Sequence, residues 1–299
     1  MIDLHSHTTV SDGGDAPAEL VRKAAAAGVM VLAVTDHDND AGCDEAVAEG
    51  RRVGVDVVRG VEISCDVDDL TERGYTPSAR PTMHLLGYFV PESDNALSAA
   101  LAELQAARAN RNHLIVERLN ELGIPVTFGE VENEAGGPGA QIGRPHFAAV
   151  LVRHGAVVDY QAAFDDYLAK GARAYIARKL YKPVEATELM IRASVVPVLA
   201  HPFTLNLEPD DLARFTDDLV GAGLQGIEGY HGDWPDAEQE PLRALGRSKG
   251  LVVTGGSDYH GDMRPERGLP GGKYGVRVPS DVINELRARR DKLATAPRP

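Results

Sequence analysis

The strongest constraint on the fold is positional. Short apolar runs alternate with amphipathic helical stretches, and almost every run that reads as a strand is closed by histidine, aspartate or glutamate. Strands are expected over residues 2–4, 29–35, 55–63, 83–90, 195–200, 226–230 and 251–254. Helices are expected over 17–27, 42–50, 184–193, 209–222, 237–249 and 280–293. Such alternation predicts a parallel sheet covered by helices. His5 and His7 close the first run, Asp36 and His37 the second, and Glu62 the third. His201 follows the fifth run, and Asp258 and His260 follow the last. His84 departs from the rule, sitting near the start of its run. Parallel barrels and open doubly wound sheets both gather their sites at strand C-termini.

Residues 93–178 interrupt the alternation. A long helix is expected over 95–122, then a loop holding Gly136, Gly137, Pro138 and Gly139, then helical patterns over 145–154 and 159–168. The segment reads as an inserted helical subdomain or lid over the C-terminal face, dividing the barrel into 1–92 and 179–299. Residues 66–81 are polar and carry Gly74, Pro77 and Pro81, as a mobile flap or a surface loop would. The tail, 296–299, reads as frayed.

Composition excludes some classes of function. A formal net charge of −14 argues against broad binding to duplex DNA or an anionic membrane, which needs positive surface. An anionic substrate stays open, because bound cations would invert the local field. Two cysteines, Cys43 and Cys65, give no disulfide framework. With neither a signal-peptide pattern nor an apolar stretch of membrane length, a cytoplasmic location is expected.

His5 and His7 are two apart on a strand end, so both imidazoles point the same way and can chelate one ion. Together with Asp12, His37, Glu62, His84, His201, Asp258 and His260 they make nine candidate ligands. A single catalytic zinc uses about three protein ligands. A cluster of two or three divalent ions is therefore expected, of manganese, iron or zinc, since mixed imidazole and carboxylate donors suit all three. Metal clusters of this kind hydrolyse phosphate esters. Asp36 is expected to orient an imidazole or a bound water, and Asp38 either to do the same or to cap a helix. Asp3 reads as structural. Glu228 and His231 suit a pocket role or a hydrogen-bonded structural one.

The run from Asp3-Leu4-His5-Ser6-His7-Thr8 through Asp12-Gly13, with Thr35-Asp36-His37-Asp38 and the later motifs, resembles the PHP (polymerase and histidinol phosphatase) family over residues 2 to about 274. The resemblance implies a distorted (β/α)7 barrel with a trinuclear centre. His5, His7, Glu62 and Asp258 would hold one ion. Glu62, His84 and His201 would hold a second, and Asp12, His37 and His260 a third. His201 and His231 are candidates for protonating the leaving group.

The insertion carries the substrate clue. Arg108 and Arg111 share a helix face, Arg144 precedes a helix N-terminus, and Lys170 adds a cation. Such a cluster would grip a second phosphate through guanidinium forks. Arg111, residues 143–146 with Arg144 and His146, residues 167–171, and residues 60–64 resemble the subgroup acting on nucleoside 3′,5′-bisphosphates, whose members also trim short 5′-phosphorylated RNA. The alternatives are a phosphatase or cyclic phosphodiesterase acting on sugar phosphates or histidinol phosphate, a PHP module serving a polymerase, and a non-catalytic metal-binding regulator. A monophosphate substrate would need no second clamp. No polymerase-type domain accompanies the motifs, so a free-standing enzyme is expected.

Overall fold

The structure is a computed structural model that describes residues 1–92, 95–137 and 140–295. Pro138 and Gly139 of the expected glycine loop, and the tail 296–299, lie outside the described residues. Seven strands form one sheet in chain order: β1 (Ile2–Asp3), β2 (Val31–Val34), β3 (Asp56–Ser64), β4 (His84–Tyr88), β5 (Val196–Leu199), β6 (Gly226–His231) and β7 (Val252–Gly256). The two edges approach each other. The Leu4 amide donates to the Gly255 carbonyl at 3.2 Å, and Ser6 bridges in parallel to Tyr259. The mixed sheet therefore nearly closes into a barrel. β2 and β5 are buried along their whole length, which is why they read as unbroken apolar runs rather than alternating ones.

The expectation of an all-parallel sheet fails at β4, which runs antiparallel to both β3 and β5. Residues 65–83 contain no full crossover helix, only the short α3 (Asp68–Glu72), so the chain re-enters the sheet at the end it had just left. Reversal explains the exceptional histidine. His84 starts its strand, pairs in register with Ser64 at the end of β3, and so lies at the same end of the barrel as the other motifs. The 66–81 segment runs over the surface with much of its length exposed, anchored to the body at Leu70 and Tyr75. Leu70 and Tyr75 are buried, and the Tyr75 ring meets Phe215 edge-on at 5.6 Å.

α1 (Pro17–Ala26) and α2 (Cys43–Val53) cover the first strands. The excursion between β4 and β5 holds α4 (Ala96–Glu121), α5 (Phe128–Glu134), α6 (Arg144–Arg153) and α7 (Tyr160–Ala163), which continues into a π-helical turn over Phe164–Leu168. It also carries α8 (Pro183–Arg192), the first covering helix of the second half. α9 (Pro209–Gly221), α10 (Glu240–Ser248) and α11 (Val282–Thr295) complete the cover. Proline at the first helical position starts α1, α8 and α9, where its missing N–H costs nothing. The insertion has its own apolar cluster, in which Ile115, Leu119, Val131, Phe147 and Leu168 are buried together. α5 was not expected from the sequence, although Thr127 and Glu130 form a reciprocal capping box at its start. Among the described residues no helix is long and apolar enough to cross a membrane.

Candidate metal centre

Glu62, buried at the end of β3, is the hub of the histidine cluster. Its Oε1 lies 2.7 Å from His84 Nδ1 and 2.9 Å from His201 Nε2. Its Oε2 lies 3.0 Å from His37 Nδ1, 3.1 Å from His7 Nε2 and 3.3 Å from His5 Nε2. Asp258 Oδ1 is 3.2 Å from His7 Nε2 and 3.5 Å from His5 Nε2. Asp12 faces His260 at 3.4 Å and His37 at 3.8 Å. All nine candidate ligands are thus brought to one end of the barrel. His201 and Asp258 reach it with φ of 27° and 51°, conformations costly for side-chain-bearing residues and often found at functional sites.

The outer hydrogen bonds fix which ring nitrogen faces inward. His5 Nδ1 donates to Glu228 Oε1 at 3.1 Å, and His260 Nδ1 to the Asp258 carbonyl at 2.8 Å. His201 Nδ1 donates to Thr204 Oγ1 at 2.9 Å, a hydroxyl that itself donates to the Thr82 carbonyl. His7 Nδ1 lies 3.4 Å from Ser11 Oγ, which donates to Asp36 at 2.5 Å. In the neutral imidazole each arrangement leaves Nε2 without a proton and aimed at a carboxylate. Lone pairs facing lone pairs need a cation between them. Consistently, His5 Nε2, His7 Nε2, His37 Nδ1 and Glu62 Oε2 are buried without a hydrogen-bond partner, a costly state unless an ion satisfies them. The residues present therefore fit divalent metal ions. Charge balance agrees: burial pulls the His7 imidazole down, yet Asp258 and Glu62 raise it to about 10. A proton held there would be exchanged for a metal.

Asp36 touches no imidazole. Its carboxylate accepts from the Thr8 amide at 2.8 Å, Thr8 Oγ1 at 2.7 Å and Ser11 Oγ, so its hydrogen-bonded link to His7 runs through Ser11. Asp3 accepts from the Ser257 amide at 2.9 Å and the His5 amide at 3.4 Å, tying the barrel seam beneath the site. Glu228 Oε2 accepts from the His201 amide at 2.7 Å, so one carboxylate braces two candidate ligands. His5, Glu228 and His231 also come close enough to form a cation site by themselves. Glu228 already has both oxygens engaged by donors, which disfavours that reading. His231 is bonded the opposite way from the others. Its Nδ1 accepts from the Asp233 amide at 3.1 Å, which places the proton on Nε2, 3.6 Å from Asp258 Oδ2.

The PHP domain family model matches residues 3–131. The chain is 31% identical over 259 residues to the 3′,5′-nucleoside bisphosphate phosphatase of Chromobacterium violaceum, covering 87% of each chain. It is 31% identical to the 5′-3′ exoribonuclease Rnm of Escherichia coli, covering 92% of each. It is 32% identical to the phosphoribosyl 1,2-cyclic phosphate 1,2-diphosphodiesterase of Eggerthella lenta, covering 87% of this chain and 94% of that one. This chain belongs to the PHP family. Like its relatives, this PHP protein is a hydrolase of phosphoric esters, and it uses divalent metal ions.

The cleft over the PHP centre is lined by ligand residues together with Thr82, Thr204, Trp234, Arg264 and Arg267. Arg267 was missed in the sequence. It pairs with Asp258 and with Asp233, its Nε donating to Asp233 at 3.0 Å. The arginines of the insertion are not among the lining residues. Arg108, Arg111 and Arg144 form a buried cluster of their own, which also includes Arg178, another residue the sequence did not single out. Arg108 and Arg178 share the Asp38 carboxylate. Arg144 is mostly buried and donates to the Leu168 carbonyl at 3.4 Å. Arg111 is buried with its Nε and one Nη unpartnered. Burial, then Arg108, Arg144 and Arg178, push the Arg111 guanidinium well below its ordinary value. Burial would raise Asp38, but Arg108 and Arg178 overcome it and hold the carboxyl at about 2. His146 is buried and its Nδ1 accepts from the Gly143 amide at 3.0 Å. Lys170 lies elsewhere, exposed and paired with Asp68.

Proposed function

We propose that this PHP enzyme hydrolyses nucleoside 3′,5′-bisphosphates with release of the 3′-phosphate, and removes nucleotides from the 5′ end of short 5′-phosphorylated RNA. The observation that carries this reading is the pairing of two features. One is a hub of inward-facing donor atoms without partners around Glu62. The other is a buried arginine cluster with unspent N–H groups, tied to His37 through the adjacent Asp38. The first suits a phosphate at metals, the second an additional phosphate on the same substrate.

Two or three ions of manganese, iron or zinc would be held by His5, His7, Glu62 and Asp258, by Glu62, His84 and His201, and by Asp12, His37 and His260. When bound, such ions neutralise phosphate oxygens and supply activated water. The chain's own residues do the rest. Arg111, with Arg108 and Arg144 beside it, would receive the second phosphate, because unspent guanidinium donors in a buried site bind a dianion in a fixed orientation. His146 would shape the same pocket. Lys170 would have to leave Asp68 to take part. His231 is the preferred proton donor over His201, since the cleft-lining His231 ring carries its proton on Nε2, beside Asp258, whereas His201 Nε2 is the unprotonated nitrogen facing Glu62. Asp36 acts by positioning His7. The insertion, residues 93–178, and the barrel segments, 1–92 and 179–299, would be separate units, with the insertion supplying substrate contacts.

The test is phosphate and nucleotide release by manganese-loaded protein from adenosine 3′,5′-bisphosphate, AMP and a 5′-phosphorylated RNA trimer. Fast phosphate release from the bisphosphate and little from AMP is expected, with stepwise mononucleotide release from the trimer. Turnover confined to a cyclic sugar phosphate or histidinol phosphate would refute the substrate assignment.

A further inference from the structure

A residue of the metal platform holds the insertion's arginines. Asp38 follows His37 directly, is fully buried, and has a φ of 53°. Its Oδ1 accepts from the Ser64 amide at 2.8 Å. Its Oδ2 accepts from Ser64 Oγ at 3.2 Å, from Arg178 Nη2 at 2.9 Å and from Arg108 Nη2. The backbone is tied too: the Asp38 amide donates to the Glu62 carbonyl at 2.9 Å, and the Asp38 carbonyl accepts from Gln105 on α4 at 3.0 Å. Gln141 donates to the His37 carbonyl at 2.6 Å. This carboxylate therefore neither caps a helix nor orients an imidazole. It joins β3, α4 and the segment returning from the insertion.

We propose that Asp38 is a positioning residue whose carboxylate fixes Arg108 and Arg178 beside Arg111 and so sets the geometry in which a second substrate phosphate is received. This inference rests on the two-phosphate reading above. Buried guanidiniums repel one another, and a shared carboxylate holds two of them at a set spacing while spending one N–H of each; a guanidinium has five. One negative charge against four positive ones leaves the cluster attractive to phosphate. Aspartate also tolerates positive φ, as asparagine does, so Asp38→Asn removes the charge while keeping the backbone.

The experiment compares adenosine 3′,5′-bisphosphate with adenosine 3′-monophosphate in wild type, Asp38→Asn, Arg178→Gln and Arg111→Ala, all manganese-loaded and checked for folding by circular dichroism. Misplacing a binding group by ~1 Å can cost about 100-fold. Asp38→Asn is expected to raise KM for the bisphosphate about tenfold or more, well beyond any rise for the monophosphate, and Arg178→Gln to do the same. A purely structural role would lower stability and affect both substrates alike, which would overturn the proposal. So would unchanged or tightened bisphosphate KM in Asp38→Asn while Arg111→Ala loses selectivity; the two-phosphate reading would then stand alone. Selectivity unaltered in Arg111→Ala would remove both. If Asp38→Asn does not fold, Arg178→Gln decides on the same criteria.

Discussion

Glu228→Gln tests how the site sets its ligand atoms. Glu228 accepts two bonds, from His5 Nδ1 and from the His201 amide. Glutamine offers one carbonyl oxygen and one NH2. If the oxygen stays on the His201 amide, the NH2 meets His5 Nδ1. The imidazole must then give up its Nδ1 proton and place it on Nε2, where the metal should bind. If the oxygen stays on His5, two N–H donors collide at His201. Either way one candidate ligand is disturbed. Changing such an outer partner costs about 10–100-fold in metal affinity, or ~1.4–2.8 kcal/mol at 1.4 kcal/mol per tenfold. The assay is manganese titration of metal-free protein by calorimetry, with chemical denaturation of the metal-free form as the folding control. The weakened affinity should appear in a folded variant. Manganese affinity within twofold of wild type would refute the argument that Glu228 dictates which nitrogen of His5 faces inward.

His231→Gln should lower kcat on the bisphosphate by about 10²–10⁴-fold, with a much smaller loss on p-nitrophenyl phosphate, whose leaving group needs no proton, and with metal content unchanged; equal losses on both substrates would rule out proton donation. Gly256→Ala should destabilise by ~1–3 kcal/mol in urea denaturation, since a Cβ there would lie 2.4 Å from the His5 amide nitrogen and 2.7 Å from Asp3 Oδ1; unchanged stability would show that the seam can yield. Metal removal with a chelator should abolish turnover and lower Tm, because ions bound only by the folded state stabilise it, and manganese should restore both; activity surviving verified metal removal would contradict the mechanism.

The sequence was most legible where one side chain carries the chemistry by itself. Histidine and carboxylate motifs at strand ends located one end of a barrel without any tertiary information. The direction of β4 was hidden because an apolar run looks the same in either direction, and His84 seemed misplaced for that reason alone. α5 has a readable signal in its Thr127-x-x-Glu130 start. The contacts of Asp38 and Arg178 had none: the two residues are 140 positions apart, and only the folded insertion makes them partners. Arg267 was equally silent, since its role depends on Asp233 and Asp258 meeting it across a loop. Asp36 was expected to bear on an imidazole, and the structure interposes Ser11.

The cluster around Glu62 would bind divalent cations through its inward-facing imidazole nitrogens. The most direct test is anomalous scattering from crystals grown with manganese. Two or three peaks are expected, one between His5, His7, Glu62 and Asp258, with Glu228 and His231 outside the coordination. A single ion held by His5, Glu228 and His231, or no ion touching Glu62, would contradict this arrangement.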